Sequence, residues 1–185
     1  MAVQTDICDF GWAAPNFTLP DPDGKAHTMS HHMGENGLLV MFICNHCPYV
    51  KAIAERLVTD TNELMANGIG VLAVMSNDFE EYPADSPDNM RKFAAHHGFA
   101  FPYLVDEDQA VGKTFDAKCT PDFFGFNRSG ELQYRGRLDD ARHAVTESRK
   151  RELVDAMRQI AETGRGPEKQ TPSIGCSIKW KSGQA

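Results

Sequence analysis

Residues 42–51 read FICNHCPYVK: two cysteines with Asn45 and His46 between them, and a proline directly after the second. Cysteine at this spacing supports three chemistries. The pair can cycle between dithiol and disulfide, it can supply half of a metal site, or it can be buried as two small hydrophobic residues. As a redox pair the two sulfurs are not equivalent. Cys47 follows an apolar run and precedes Pro48, a residue suited to the first helical position, so Cys47 falls at a helix N-cap. Unpaired backbone N–H groups and the positive end of the helix dipole then face its sulfur. In such settings a cysteine pKa falls from ~8.5 into roughly the 3.5–7.5 range, which makes the thiolate available at neutral pH. Cys44, on the strand side of the turn, has neither advantage. Cys47 is therefore the expected nucleophile and Cys44 the expected resolving partner. A disulfide needs the two Cα atoms within about 7 Å, which a turn permits and a straight strand does not.

The metal reading uses the same residues differently. Cys44, His46 and Cys47 offer soft sulfur and nitrogen ligands suited to copper(I) or zinc; a resemblance to thioredoxin-fold proteins that deliver copper with a cysteine pair and a distant histidine would make His143 that histidine. Against it, the chain has one Cys-x-x-Cys and no second ligand pair at zinc-ribbon spacing.

The elements around this stretch are legible from periodicity. APNFTLPDPDGKAHTM alternates apolar and polar residues about an Asp23-Gly24 turn, which predicts an N-terminal β-hairpin. GLLVMFI (37–43) and GVLAVMS (70–76) are short continuous apolar runs, as expected of strands buried on both faces. Between them Ile53, Leu57, Leu64 and Met65 recur at helical spacing, and Asn67-Gly68 stops the helix. An acidic loop follows, then a helix opened by Ser86-Pro87 and closed near His97-Gly98, a short strand at 101–106 and a short helix in QAVGKTFD. DFFGFNRSGELQYRG (122–136) predicts a hairpin, and TESRKRELVDAMRQIAETG an amphipathic helix ended by Gly164. The order is that of an α/β thioredoxin-like fold: a central mixed β-sheet flanked by helices, with an N-terminal β-hairpin and a β-α insertion.

At 185 residues the chain suits a single domain, 1–185. Residues 165–185 read as a C-terminal tail. Its Ile174, Ile178 and Trp180 are too apolar for a solvated segment, so it is expected to dock on the body. Mobility would suit Cys176, within that tail, to a resolving role. A net charge of −7 argues against nucleic acid and anionic membrane as partners. The start, MAVQTDICDFGW, lacks the basic-then-apolar pattern of a secretory signal, so a cytoplasmic location is expected. Five cysteines, an odd number, make a structural disulfide scaffold a poor expectation there.

Beyond these readings the chain resembles a known family. Cys47-Pro48-Tyr49-Val50 is similar to the glutaredoxin C-P-Y-C, with Val50 at its second cysteine. APNFTLPDPDGK, FICNHCPYVK, CTPDFFGFN, YRGRLDD and GCSIKWK together resemble the peroxiredoxin-like branch of the AhpC/TSA superfamily, over residues 13–181. The chain departs from the usual Pro-x-x-x-Thr/Ser-x-x before the peroxide-reactive cysteine: Cys44 stands at the hydroxyl position and Val40 at the proline. The resemblance implies a thiol-disulfide oxidoreductase or thiol-dependent antioxidant protein, with a peroxiredoxin-type peroxidase as the alternative. It implies a disulfide-containing protein, or a small peroxide or disulfide, as substrate, an external thiol as reductant, and no organic cofactor. It further implies a cis Thr120-Pro121 bond beside Cys47, with Thr120 and Pro121 contacting substrate. Cys119 and Cys176 are then candidate resolving residues, and Arg137 a candidate to support the thiolate.

Overall fold

The computed structural model describes residues 1–141 and 148–182. Among them, in chain order, lie strands β1 (Ala2–Gln4), β2 (Thr18–Pro20), β3 (Ala26–Thr28) and β4 (Leu38–Phe42), helix α1 (Pro48–Ala66) and strand β5 (Gly70–Met75). Helix α2 (Pro87–His97), strand β6 (Tyr103–Val105), helix α3 (Ala110–Thr114) and strands β7 (Cys119–Thr120), β8 (Asp122–Phe126) and β9 (Leu132–Tyr134) follow. Helix α4 (Glu152–Thr163) and strand β10 (Ile174–Ser177) complete the chain.

The central sheet has the order β6-β5-β4-β8-β9, parallel from β4 to β6 and antiparallel from β4 through β8 to β9. All five residues of β4 are buried, because both of its faces are covered. The strand's period of two sends Leu39 and Met41 into one core with Leu57 and Leu64 of α1 and Leu153, Met157 and Ile160 of α4. Leu38, Val40 and Phe42 enter the other core with Val111 of α3, Phe115 and the hairpin residue Leu19. The hairpin β2-β3 and the hairpin β8-β9 form where turn chemistry places them, the first around Gly24 and the second around Gly130. These observations make the fold thioredoxin-like.

Helix boundaries follow local signals at most ends. Pro48 and Pro87 open α1 and α2, and the left-handed Gly98 and Gly164 (φ +70 and +75) close α2 and α4. The start of α4 does not. The amphipathic pattern predicts a helix from Thr146; residues 146 and 147 lie outside the described residues, and residues 148–151 are not helical, so α4 begins at Glu152. The buried carboxylate of Asp60 on α1 draws in Arg149 (2.6 and 2.8 Å) and Arg151 (2.9 Å), and Asp139 takes a further bond from Arg149 (3.1 Å). Those ion pairs bend residues 148–151 away from helical geometry, a tertiary demand that overrides propensity.

The segment after α4 is part of a second sheet, β1-β10-β7. Strand β10 lies between the N-terminal strand and β7, with Cys176 opposite Thr120. Trp180, further along, packs on α3, where Lys113 stands 5.9 Å over its ring. Among the described residues no helix is long and apolar enough to cross a membrane.

Asp60 is the joint between α1 and the approach to α4. Replacing Asp60 by Ala leaves the largely buried Arg149 without its main partner and should cost about 3 kcal/mol, the lower end of what breaking a buried ion pair costs. Urea unfolding of the two proteins measures it, with the loss expected in the midpoint and not in the slope.

Candidate active site

The C-terminal end of β4 delivers Cys44 to the sheet edge and the N-terminus of α1 presents Cys47 (φ −66, ψ 122), the helix N-cap. Across from them the cis Thr120–Pro121 bond closes the site. Both sulfurs meet the same residue: Cys44 Sγ lies 3.2 Å from Thr120 Oγ1, and the Cys47 thiol lies 3.1 Å from the Thr120 carbonyl. Both are enclosed, Cys47 at 0% and Cys44 at 1% exposure, so burial does not separate them.

Hydrogen bonding separates them. The Cys44 thiol donates to Cys47, and this is the main cause that lowers the Cys47 pKa to about 4, against the opposing effect of burial. The Val50 N–H in the first helical turn and the N–H and thiol of Cys176 add to it. When Cys47 is protonated it donates to the Thr120 carbonyl; on ionisation that contact turns repulsive, and these donors hold the thiolate instead. The same bond, with burial and the nearby negative charge of Asp85, pushes Cys44 far above the ordinary thiol range. One proton is thus held on Cys44 in the service of Cys47.

The remaining predicted residues divide. Cys176 stands beside Cys47, its pKa raised to about 11 by burial and by the neighbouring Cys47 sulfur. Cys119 is buried one residue before Thr120, its thiol 3.6 Å from the Pro121 carbonyl, and burial and the Asp122 carboxylate push its pKa up. Arg137 is turned elsewhere: its guanidinium makes two 2.9 Å bonds to Glu152, so it does not serve the Cys47 thiolate. Arg137 instead helps line a cavity of about 300 Å³ beside Pro121, with Tyr49, Ile53, Phe123 and Ile174. His143 lies outside the described residues.

The edge expected to receive a substrate chain is already taken. Strand β10 pairs with β7, and the approach is so close that a Cβ on Gly175 would stand 2.0 Å from the Thr120 carbonyl oxygen. Ser173 secures the strand through a 2.9 Å bond from its hydroxyl to the Pro121 carbonyl. Glycine at 175 is what allows the protein's own tail to occupy the backbone next to Cys44 and Cys47.

One functional residue was not legible beforehand. The acidic loop carries Asp85, at 0% exposure, beneath the Cys44–Cys47 turn. Asp85 Oδ1 accepts from the N–H groups of Asn45 (2.8 Å) and His46 (3.2 Å), and Oδ2 from His46 Nδ1 (2.6 Å) and Asn77 Nδ2 (2.8 Å). Nothing local distinguishes it from Asp78, Glu80 and Glu81 of the same loop. Cys44 and His46 are therefore grouped with Asp85, and not with Cys47 as the metal reading proposed; the three candidate ligand atoms lie within 4.8 Å of one another. Four donors already fill the four lone-pair sites of that carboxylate, so the group is satisfied as a hydrogen-bonded network.

Comparison with known proteins agrees with this geometry. Peroxiredoxin Bcp of Escherichia coli K12 is 28% identical over 120 residues, covering 65% of this chain and 72% of that protein. Thiol-disulfide oxidoreductase ResA of Geobacillus thermodenitrificans is 26% identical over 127 residues, covering 66% of each. The crystal structure of an uncharacterized conserved protein from Geobacillus kaustophilus superposes with a TM-score of 0.91 at 45% identity, covering 98% of this chain and 97% of the other. The AhpC/TSA family model matches residues 10–135, from before the N-terminal hairpin through β9, and the chain belongs to that family.

Proposed function

We propose that this protein is a thiol oxidoreductase acting on small hydroperoxides or small disulfides, with Cys47 as the attacking sulfur and Cys44 as the resolving one. The observation that carries the reading is Cys47 at the N-cap of α1, with Cys44 and Cys47 both enclosed against Thr120 beside the cis Thr120–Pro121 bond. With a hydroperoxide, the Cys47 thiolate attacks the distal oxygen, the O–O bond breaks, and the alkoxide leaves with a proton as an alcohol or water. Cys47 is then a sulfenic acid. With a disulfide, Cys47 forms a mixed disulfide and one thiolate departs. In either case Cys44 closes on the Cys47 sulfur, and an external dithiol reduces the resulting bond. That exchange suits a cytoplasmic compartment, where a thiol pool can return the pair to its reduced state.

Small substrates are favoured over extended polypeptides because β10 occupies the β7 edge, with Gly175 against Thr120. The cavity beside Pro121 offers an approach that leaves this pairing intact.

Thiolate absorbance measured against pH should show Cys47 ionised through the neutral range and protonating only on acidification, with a midpoint near 4. Cys44→Ala removes the main donor. A hydrogen bond to a charged group contributes about 1.5–3 kcal/mol, so the midpoint should rise by about one to two pH units; an unmoved midpoint rejects the thiol–thiolate bond as its cause. Treatment with one equivalent of hydrogen peroxide, or of a small disulfide, should yield a Cys44–Cys47 disulfide on peptide mapping. Recovery of both cysteines as free thiols with either oxidant counts against the reading, and consumption of peroxide far faster than by a free thiol selects the peroxidase form. Gly175→Val should lift β10 from β7 and raise the rate of Cys47 alkylation at neutral pH by about tenfold or more, as expected for removing a cover from a buried thiolate.

A further inference from the structure

The resolving half-reaction has a requirement that the Cys44–Cys47 pair does not itself meet. Cys44 must lose its proton to attack, and burial and the nearby Asp85 charge oppose that loss even when the bond to the Cys47 thiolate is gone. Once Cys47 is oxidised it is no longer a thiolate and cannot take that proton. The groups facing Cys44 are few. Thr120 presents a hydroxyl at 3.2 Å. Tyr103, buried on β6, directs its hydroxyl to Asn45 Oδ1 at 3.0 Å and to the Ile43 carbonyl at 3.4 Å. Both hydroxyls are weak bases. The Asp85 carboxylate is engaged by four donors. His46 remains.

We infer that His46, oriented by Asp85, accepts the Cys44 thiol proton as Cys44 closes on Cys47 and returns it to the leaving group. The inference rests on the oxidoreductase reading above and adds the proton path to it. A carboxylate 2.6 Å from Nδ1 fixes the proton of a neutral imidazole on that nitrogen and leaves Nε2 as the basic one. One ring nitrogen of His46 lies within 4.8 Å of Cys44 Sγ, so the imidazole stands beside the thiol and a bridging water can carry the proton from Sγ to Nε2. The ring is held from two sides, by Asp85 and by Tyr82, which stacks on it at 5.9 Å with planes 9° apart. Its side chain is 28% exposed, so the imidazole reaches solvent while Asp85 beneath it is enclosed.

The step balances as follows. The S–H bond of Cys44 breaks and the proton passes to His46, giving imidazolium and a Cys44 thiolate. That thiolate attacks the Cys47 sulfur, and an S–S bond forms. From a sulfenic acid the S–O bond breaks, and the hydroxide takes the proton from His46 to leave as water. From a mixed disulfide the S–S bond to the substrate breaks, and the substrate thiolate leaves with the same proton. Cys44 and Cys47 end as a disulfide and His46 ends neutral. Asp85 touches no reacting atom; it is a positioning residue that sets the tautomer and, through the Asn45 and His46 N–H groups, the turn.

Single-turnover reaction with 2,2′-dithiodipyridine tests this, in a Cys176→Ser background so that Cys176 cannot compete for Cys47. Attack by Cys47 releases one thiopyridone, and closure by Cys44 releases a second. His46→Ala should still give the first release and should slow the second by about 100-fold, the lower end of general acid–base contributions. Free imidazole, entering the space left at the surface, should restore the second release in proportion to its concentration. His46→Gln, which keeps that space filled, should be as slow and should not respond to imidazole. Asp85→Asn should also slow the second release and alter its pH profile. A second release unchanged in His46→Ala, or slowed but indifferent to imidazole, overturns the proton path. Absence of the first release from the protein with His46 intact overturns the oxidoreductase reading itself, a different outcome.

Discussion

Two sulfurs sharing one proton is the constraint on which this site depends. Cys44 and Cys47 are equally enclosed, and a low-dielectric setting by itself would keep both protonated. The asymmetry comes from what surrounds them. On the Cys47 side, the first turn of α1 and the edge of β10 supply N–H groups and a thiol. On the Cys44 side lies the buried Asp85 carboxylate, which opposes a second negative charge. Charge therefore settles on Cys47 and the proton on Cys44. Strand β4, buried on both faces, and helix α1, anchored through Leu57 and Leu64, hold the two sulfurs in this relation.

The same arrangement explains why the outer parts of the chain are not ornament. The acidic insertion between β5 and α2 looks like a solvated connection, yet it carries the carboxylate that organises the redox turn. Asn77 ties that carboxylate to the tail, since its Nδ2 donates to Asp85 and its Oδ1 accepts from the Lys179 N–H at 2.8 Å. Strand β10 meanwhile closes the opposite flank, where Gly175 brings it against Thr120. Insertion and tail are thus joined to each other and to the turn that carries the two cysteines by a short chain of hydrogen bonds. Such a cover is made of few residues and short strands, the kind of element that opens at low cost compared with the central sheet.

What was legible in advance followed from local patterns. The buried strands of 37–43 and 70–76, the helix after Pro48, both hairpins and the glycine stops each rest on hydrophobic period or turn chemistry within a few residues. Placing Cys47 at a helix N-cap needed only the proline behind it, and that placement already implies a lowered pKa. The cis Thr120–Pro121 bond came by family resemblance. Arg137 was misplaced because a guanidinium three residues past a strand end says nothing about which carboxylate it will meet, and Glu152 meets it first. The late start of α4 was missed for a similar reason: Asp60 lies ~90 residues away in sequence from Arg149 and Arg151, beyond any helical pattern.

The amino-acid sequence by itself determined the order and type of elements, the place of Cys47 at a helix N-terminus and the presence of a second cysteine three residues before it, because each depends on near neighbours along the chain. Only the tertiary structure decided that Asp85 sits under the turn, that the tail's own strand takes the edge beside Thr120, and that Cys176 joins the two sulfurs. Those outcomes depend on distances between segments far apart in sequence, and on which of several chemically similar carboxylates and cysteines the packed core brings within hydrogen-bonding reach.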